Sequence, residues 1–270
     1  MFFPFKDDNP HTTTPYVTWI IIVVCAIVYV WQLTLGPDQG QKAAYIFGLL
    51  PGHLFGTVQI DPRLTVLPGW MTVFTSMFMH GGFLHLGGNM LYLWIFGDNV
   101  EASLGHVKFL LFYLLCGAAA ALVQSVAAPT STVPMVGASG AIAAVLGAYL
   151  ILHPRANVRV FVWVIIFVTI INLPAWLVLG FWFLGQLWSA VGADPGSPGV
   201  AFLAHIGGFV AGVILVFKMR RPTVPVFDQA HSRPFEVRKV PVRRRPRGSV
   251  PSTSSRRFRG SESGQNRPWD

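Results

Sequence analysis

Charge is scarce in this chain: Asp, Glu, Lys and Arg make up 11% of its 270 residues, against about 25% in an ordinary soluble domain. That shortage excludes the usual water-exposed globular surface. Cysteine is scarcer, with only Cys25 and Cys116, each inside an apolar run of its own. Two such thiols supply neither a disulfide framework nor a thiolate metal cage and read as small hydrophobes. Glutamate is missing altogether between Met1 and Val100. What is abundant is apolar: 53% of the residues are hydrophobic, with 21 Phe and 9 Trp. Such a composition excludes a disordered or low-complexity chain and points to a membrane protein.

The formal charge of +9 is unevenly spread. Met1 to Phe217 carries a net charge of −1, and Lys218 to Asp270 a net charge of +10. The last 53 residues are rich in Pro, Ser and Arg and hold almost no apolar runs, so they bury too little surface to offset chain entropy. The expected division is therefore an apolar core over 1–217 and a basic, disordered tail over 218–270. The tail's Arg243-Arg244-Arg245 cluster suits attraction to anionic lipid. No nucleic-acid partner is expected, because the basic segment lacks an interleaved aromatic platform beyond Phe258.

A bilayer core about 30 Å thick needs roughly 20 apolar helical residues per crossing. Six runs meet or approach that requirement: about Tyr16–Leu35, Trp70–Phe96, Val107–Ala127, Gly137–Leu152, Val158–Leu187 and Val200–Phe217. Helices are the expected form, since a barrel needs short alternating segments. The fold class expected is thus an all-α polytopic membrane protein with six transmembrane helices. The first run has no small-residue cleavage site after it and reads as a retained anchor. Arg155, Arg159, Lys108 and the basic tail set the cytoplasmic side, which places both termini inside in a cell membrane. The loops after the first, third and fifth helices then face outward.

Polar residues inside spans cost free energy unless they have partners or a wet cavity, so they mark function. Four stand out: His85 and Asn89 in the second run, Ser139 in the fourth and His205 in the sixth. The inferred topology puts all four in the outer part of their helices. From Ser139, small residues continue through Ala143 and Gly147 at a four-residue interval and give the fourth helix a narrow face, and Gly208 and Gly212 do the same below His205. Two narrow faces allow the close approach that brings a serine within reach of an imidazole base. Taken singly, Ser139 also suits a packing role with its hydroxyl bonded to its own backbone. His85 and Asn89 at i and i+4 share a face and can both donate hydrogen bonds to an oxyanion. A zinc site is the competing reading for the histidines, but the Glu of His-Glu-x-x-His is absent. His80, five residues before His85, faces elsewhere and reads as structural.

Together these residues resemble a known family, the rhomboid intramembrane serine proteases. Gly137-Ala138-Ser139-Gly140 is similar to the family's Gly-x-Ser-Gly motif. Ala204-His205 with Gly208 and Gly212 is similar to its sixth-helix motif, and His80, His85 and Asn89 to its second-helix pattern. Glu101 and Gly105 resemble its turn after that helix. The resemblance covers the core and not the tail. It implies a six-helix bundle and a Ser-His dyad, with Ser139 as nucleophile and His205 as base. It further implies an oxyanion hole from His85, Asn89 and the Ser139 N–H, no cofactor and no metal. Substrates would be single-span membrane proteins in the lipid bilayer, cut on the outer side. Two departures are visible: Trp70 is followed by Met71 instead of Arg, and Ala143 stands where some members carry an aromatic ring. Non-catalytic relatives that bind membrane clients form the alternative class, and a transporter using the same polar cavity a third. An intact serine and histidine favour the enzyme.

Overall fold

The computed structural model describes residues 2–10, 13–164, 167–229 and 234–235. The chain opens with a strand, β1 (Phe2–Asp7), followed by helices α1 (Tyr16–Thr34), α2 (Gly36–Phe47), α3 (Pro51–Leu54) and α4 (Gly69–Thr75). Next come α5 (Phe83–Leu104), α6 (His106–Ala127) and α7 (Ser139–Leu152). A hairpin of β2 (Asn157–Val164) and β3 (Phe167–Pro174) leads into α8 (Ala175–Val191) and α9 (Phe202–Met219). Of these, α1, α6 and α9 are long and apolar enough to cross a membrane, and α7 and α8 are shorter apolar helices.

The β-branched run in α1 would favour a strand in water. It is helical because an apolar surrounding leaves the backbone only its own groups to bond with. Gly36, at φ +71, turns the chain out of α1, and Pro37 and Asp38 then suit the first turn of the amphipathic α2.

Helix α7 is buried on every side, with each residue from Ala141 to Tyr149 in the core. A helix apolar all round belongs at the centre of a bundle, and α5, α6, α8 and α9 surround it. Its closest neighbour is α9. A methyl group on Gly208 would overlap the Gly140 carbonyl oxygen, one on Gly212 the Ala144 carbonyl, and one on Gly147 the Phe209 carbonyl. The second glycine of the Gly207-Gly208 pair thus faces α7, while the first meets the Val123 side chain of α6. Backbone against backbone is the spacing that the small-residue stripes predict.

Two expected spans differ from the structure. The run over 70–96 is not one helix: α4 ends in a single 3-10 turn at Ser76–Phe78, and Met79 to Gly82 is non-helical before α5 begins. Gly81 and Gly82 explain the break, since glycine pairs favour it. His80 therefore lies off the helix. The run over 158–187 is corrected more sharply, and with it the all-α expectation. Its first part forms a three-stranded antiparallel sheet in the order β1-β2-β3. Val158, Val160 and Val162 are buried while Trp163 is exposed, the period of two that a half-covered strand requires. β1 supplies the missing edge partner, pairing Phe3 with Phe161 and Lys6 with Arg159, with a shift between Pro4 and Lys6 where proline cannot donate. A long apolar run is ambiguous between strand and helix by periodicity alone.

Polar side chains tie the ends of these elements together. Glu101 of α5, fully buried, accepts from the Val17 and Thr18 N–H groups at 2.9 and 2.8 Å and from Thr18 Oγ1 at 2.7 Å. It thereby caps the start of α1, where backbone donors have no helical partner. Gly105, at φ +85, closes α5. The chain beyond α9 then returns across the bundle: Arg221 N–H bonds Ser103 O, Phe227 N–H bonds Ile151 O and Asp228 N–H bonds Leu152 O. These acceptors are the orphan carbonyls that end α5 and α7. The boundary expected at Phe217 thus falls inside α9, and 220–228 is a strap against the helix ends. Arg243-Arg244-Arg245 and most of the expected tail lie outside the described residues.

Asp7, at the end of β1, is buried where it accepts from Tyr149 Oη at 2.6 Å and Asn99 Nδ2 at 2.9 Å. Burial pushes its pKa from 3.8 up to about 7; the Tyr149 bond opposes this, and the Asp98 and Asp8 charges add to it. The folded chain therefore holds a proton that the unfolded chain releases, a contribution present below pH 3.8 and lost as pH rises through about 7. Thermal unfolding in detergent is expected to shift to lower temperature across that interval. Asp7→Asn, which keeps an acceptor and removes the titration, is expected to flatten the shift; an unchanged slope would reject the assignment. Gly212→Ala, which drives a methyl group into the Ala144 carbonyl, is expected to cost about 1–3 kcal/mol, read as a lower unfolding midpoint in the same assay.

Candidate active site

Ser139 is the first residue of α7, reached through Gly137 at φ +130. The Gly137 N–H bonds Ser76 O at 2.9 Å, which fixes the approach to the helix. A side chain at Gly137 would have to share space with His85: an added Cβ would lie 2.8 Å from both Cε1 and Nε2 of that ring. The same point is 3.7 Å from Ser139 Oγ, so the His85 ring edge and the serine hydroxyl flank one glycine.

His205 sits in the first turn of α9 and is 9% exposed. Its Nε2 is 2.8 Å from Ser139 Oγ. This is the pairing the sequence anticipates, and it follows from the α7–α9 glycine contacts one and two turns below. The start of α9 is further held by Gln124 of α6, whose Oε1 accepts from the Ala204 N–H at 3.2 Å. Gln124 Nε2 donates to Pro195 O at 3.0 Å, so one side chain anchors both α9 and the loop before it.

Asn89 is one turn beyond His85 on α5 and, like His205, is buried, with its Nδ2 lacking a hydrogen-bond partner among the described residues. The Gly81 N–H donates to His85 Nδ1 at 3.4 Å, which assigns the ring proton to Nε2, the nitrogen beside Gly137. All four sequence-selected residues line one cavity of about 850 Å³. It therefore presents an alcohol hydrogen-bonded to an imidazole, with further donors next to them. His80 remains outside this group. Its ring lies edge-on to His85 at 5.3 Å, and its backbone is clamped by two 3.1 Å bonds to Gln32. Among the described residues no three His, Cys, Asp or Glu side chains gather to hold a metal ion.

Two residues of α8 join the site without having been singled out. Trp182 lies against the His205 ring, centroids 5.9 Å apart and planes 35° apart. It supplies an aromatic surface for the imidazole although position 143 is Ala. Gln186, one turn later, places Oε1 2.7 Å from His205 Nδ1. A polar side chain within an apolar run is the signal that marks the other site residues, and Gln186 carries it too. Ser131 and Asp194 organise the outer rim. Ser131 Oγ donates to Gly196 O at 3.4 Å, and Asp194 accepts from the Gly196 N–H and Ser197 Oγ at 3.0 and 2.8 Å. These bonds hold Asp194 below the usual carboxylate range.

Comparison with known proteins identifies the family of the chain. A family model, the Rhomboid domain, matches residues 68–222. The chain is 32% identical over 151 residues to the mitochondrial rhomboid protein 1 of Saccharomyces cerevisiae, covering 53% of this chain and 40% of that protein. It is 28% identical over 238 residues to the chloroplastic rhomboid-like protein 11 of Arabidopsis thaliana, 83% of this chain and 72% of that one. With the rhomboid protease GlpG of Klebsiella pneumoniae it shares 26% identity over 219 residues, 80% of this chain and 67% of that one. The matched region contains α5 to α9 and every residue of the cavity named above. The chain belongs to the rhomboid family of membrane proteins.

Proposed function

We propose that the chain is an intramembrane serine endopeptidase that hydrolyses peptide bonds of membrane-protein substrates with a Ser139-His205 dyad. The observation that carries this reading is the 2.8 Å contact between Ser139 Oγ and His205 Nε2 inside a cavity lined by spare donors. The name of the Klebsiella relative, a rhomboid protease, points the same way.

In this reading His205 Nε2 takes the hydroxyl proton as Ser139 Oγ attacks the scissile carbonyl carbon. The carbonyl oxygen becomes an oxyanion, and His85 Nε2–H, Asn89 Nδ2 and the Ser139 N–H donate to it. His205 passes its proton to the leaving amine, and an acyl ester remains on Ser139. Water, deprotonated by His205, attacks the ester, and the acid product leaves with the dyad restored.

Six crossings, by α1, α5, α6, α7, α8 and α9, complete the proposed topology, with both termini cytoplasmic and the cavity open to the outer side. The 14 residues of α7 extend about 21 Å, less than a hydrocarbon core of about 30 Å. Ser139, at the outer end of that short helix, then lies below the surface, and the cavity is what admits water to it. A substrate helix bonds its carbonyls internally and must unwind to be cut. The proposed substrates are therefore single-span proteins with small or helix-weakening residues near the cleavage point. The basic residues beyond Phe217 serve orientation and contact with anionic lipid.

A serine-directed fluorophosphonate is expected to label the wild-type chain and neither Ser139→Ala nor His205→Ala; equal labelling of all three would reject the dyad. His85→Ala and Asn89→Ala are each expected to lower kcat by about 10²–10³, measured on a transmembrane substrate. Replacing the substrate's cut region with a stable poly-Leu helix is expected to suppress cleavage, and undiminished turnover would count against the unwinding requirement.

A further inference from the structure

The Ser139-His205 pair leaves one imidazole nitrogen to be accounted for, and α8 provides its partner. Gln186 Oε1 is 2.7 Å from Nδ1, while Nε2 is 2.8 Å from Ser139 Oγ. An amide oxygen can only accept, so Nδ1 must carry the ring proton. Neutral imidazole has one proton; with it on Nδ1, the Nε2 lone pair faces the Ser139 hydroxyl. That is the tautomer a general base needs. The reverse amide orientation would direct an N–H at Nδ1, force the proton onto Nε2, and leave nothing there to accept from serine.

The ring is also held in its plane. Trp182, one turn before Gln186 on α8, lies against its face at 5.9 Å, and Phe209, one turn after His205 on α9, meets Trp182 at 6.2 Å and stacks on Phe183 at 4.4 Å. Gln186 lies in an otherwise apolar stretch of Leu, Phe, Trp and Gly, where an unpaired amide is costly. Its bond to His205 offsets that cost, and the aromatic contacts limit the ring to rotations that keep it.

We propose that Gln186 is a positioning residue for His205, fixing through Oε1···H–Nδ1 the tautomer and ring angle in which Nε2 accepts the proton of Ser139. The assignment rests on the dyad reading and extends it to a Ser-His-Gln relay with a neutral third member. A neutral amide orients the imidazole without adding a fixed negative charge to a low-dielectric site, where an unpaired carboxylate is strongly disfavoured. As His205 becomes imidazolium during acylation, the same oxygen accepts from the now cationic ring, a bond stronger than with the neutral one.

The test uses the full chain in detergent, with a transmembrane peptide substrate and Gln186→Leu, Gln186→Glu, His205→Ala and Ser139→Ala variants. Gln186→Leu removes the acceptor at similar volume and is expected to lower kcat on the order of 100-fold, leave KM within about twofold, and slow fluorophosphonate labelling in parallel. Gln186→Glu restores an acceptor and is expected to recover most of the lost kcat. In a 15N-histidine-labelled sample, a hydrogen-bonded Nδ1–H signal that His205→Ala removes is expected in wild type and Gln186→Glu, and is expected to vanish in Gln186→Leu. Any of three results overturns the proposal: unchanged kcat in Gln186→Leu, a rise in KM alone, or a His205 proton found on Nε2. The nitrogen signal needs no turnover. If Ser139→Ala still cleaves, the dyad reading falls, while the spectrum still decides whether Gln186 sets the tautomer.

Discussion

The approach of α9 to α7 is the constraint on which the site depends. Gly208 and Gly212 lie against the Gly140 and Ala144 carbonyls with no room for a methyl group, and Gly147 answers them from the other helix. Only at that separation does a serine side chain, with one carbon between backbone and oxygen, reach an imidazole on the neighbouring helix. The 2.8 Å contact between Ser139 and His205 is therefore a product of backbone proximity, and longer side chains could not compensate for its loss. Lipid does not drive apolar helices together as water does, so close van der Waals packing between small residues has to supply the attraction. The stripe that makes the bundle tight also brings Ser139 and His205 together.

The same apolar surroundings make each polar side chain informative. Ser139, His205, His85 and Asn89 were legible as a set because each is costly in hydrocarbon unless it has a partner or a wet cavity, and their cavity supplies both. Gln186 met the same criterion but has no family motif around it, and only the fold shows that α8 brings it to His205. Trp182 could not be singled out at all, since one Trp in an aromatic-rich run carries no signal until its neighbour across the interface is known.

Much of the helical framework was legible for the same reason. Runs of apolar residues long enough to cross a bilayer coincide with α1, α6 and α9 to within a few residues. The failures are equally physical. Val158 to Pro174 is apolar and β-branched, satisfying the hydropathy of a span and the pattern of a strand. What decides between them is β1, a segment about 150 residues earlier that completes the hairpin into a sheet, so no local reading could choose. The gap between α4 and α5 turns on Gly81 and Gly82, whose cost to a helix is small enough for tertiary contacts to decide either way.

The anchoring of α7 is unequal at its two ends, and this bears on how the proposed nucleophile can be both fixed and accessible. At the Leu152 end, Phe227 and Asp228 cap the last carbonyls, and Tyr149 bonds Asp7 beside Asn99. Asp7 belongs to β1 and Asn99 to α5, so that end is tied to two separate elements as well as to the strap. At the Ser139 end the helix starts abruptly from Gly137, and among the described residues no side chain caps it. Satisfying the first N–H donors there would fill the space that an oxyanion would occupy in the proposed reaction. A helix that is to present its N-terminus to a reacting carbonyl has to be held elsewhere. The buried polar cluster at the opposite end, together with the glycine contacts along its length, holds α7 without intruding on the cavity.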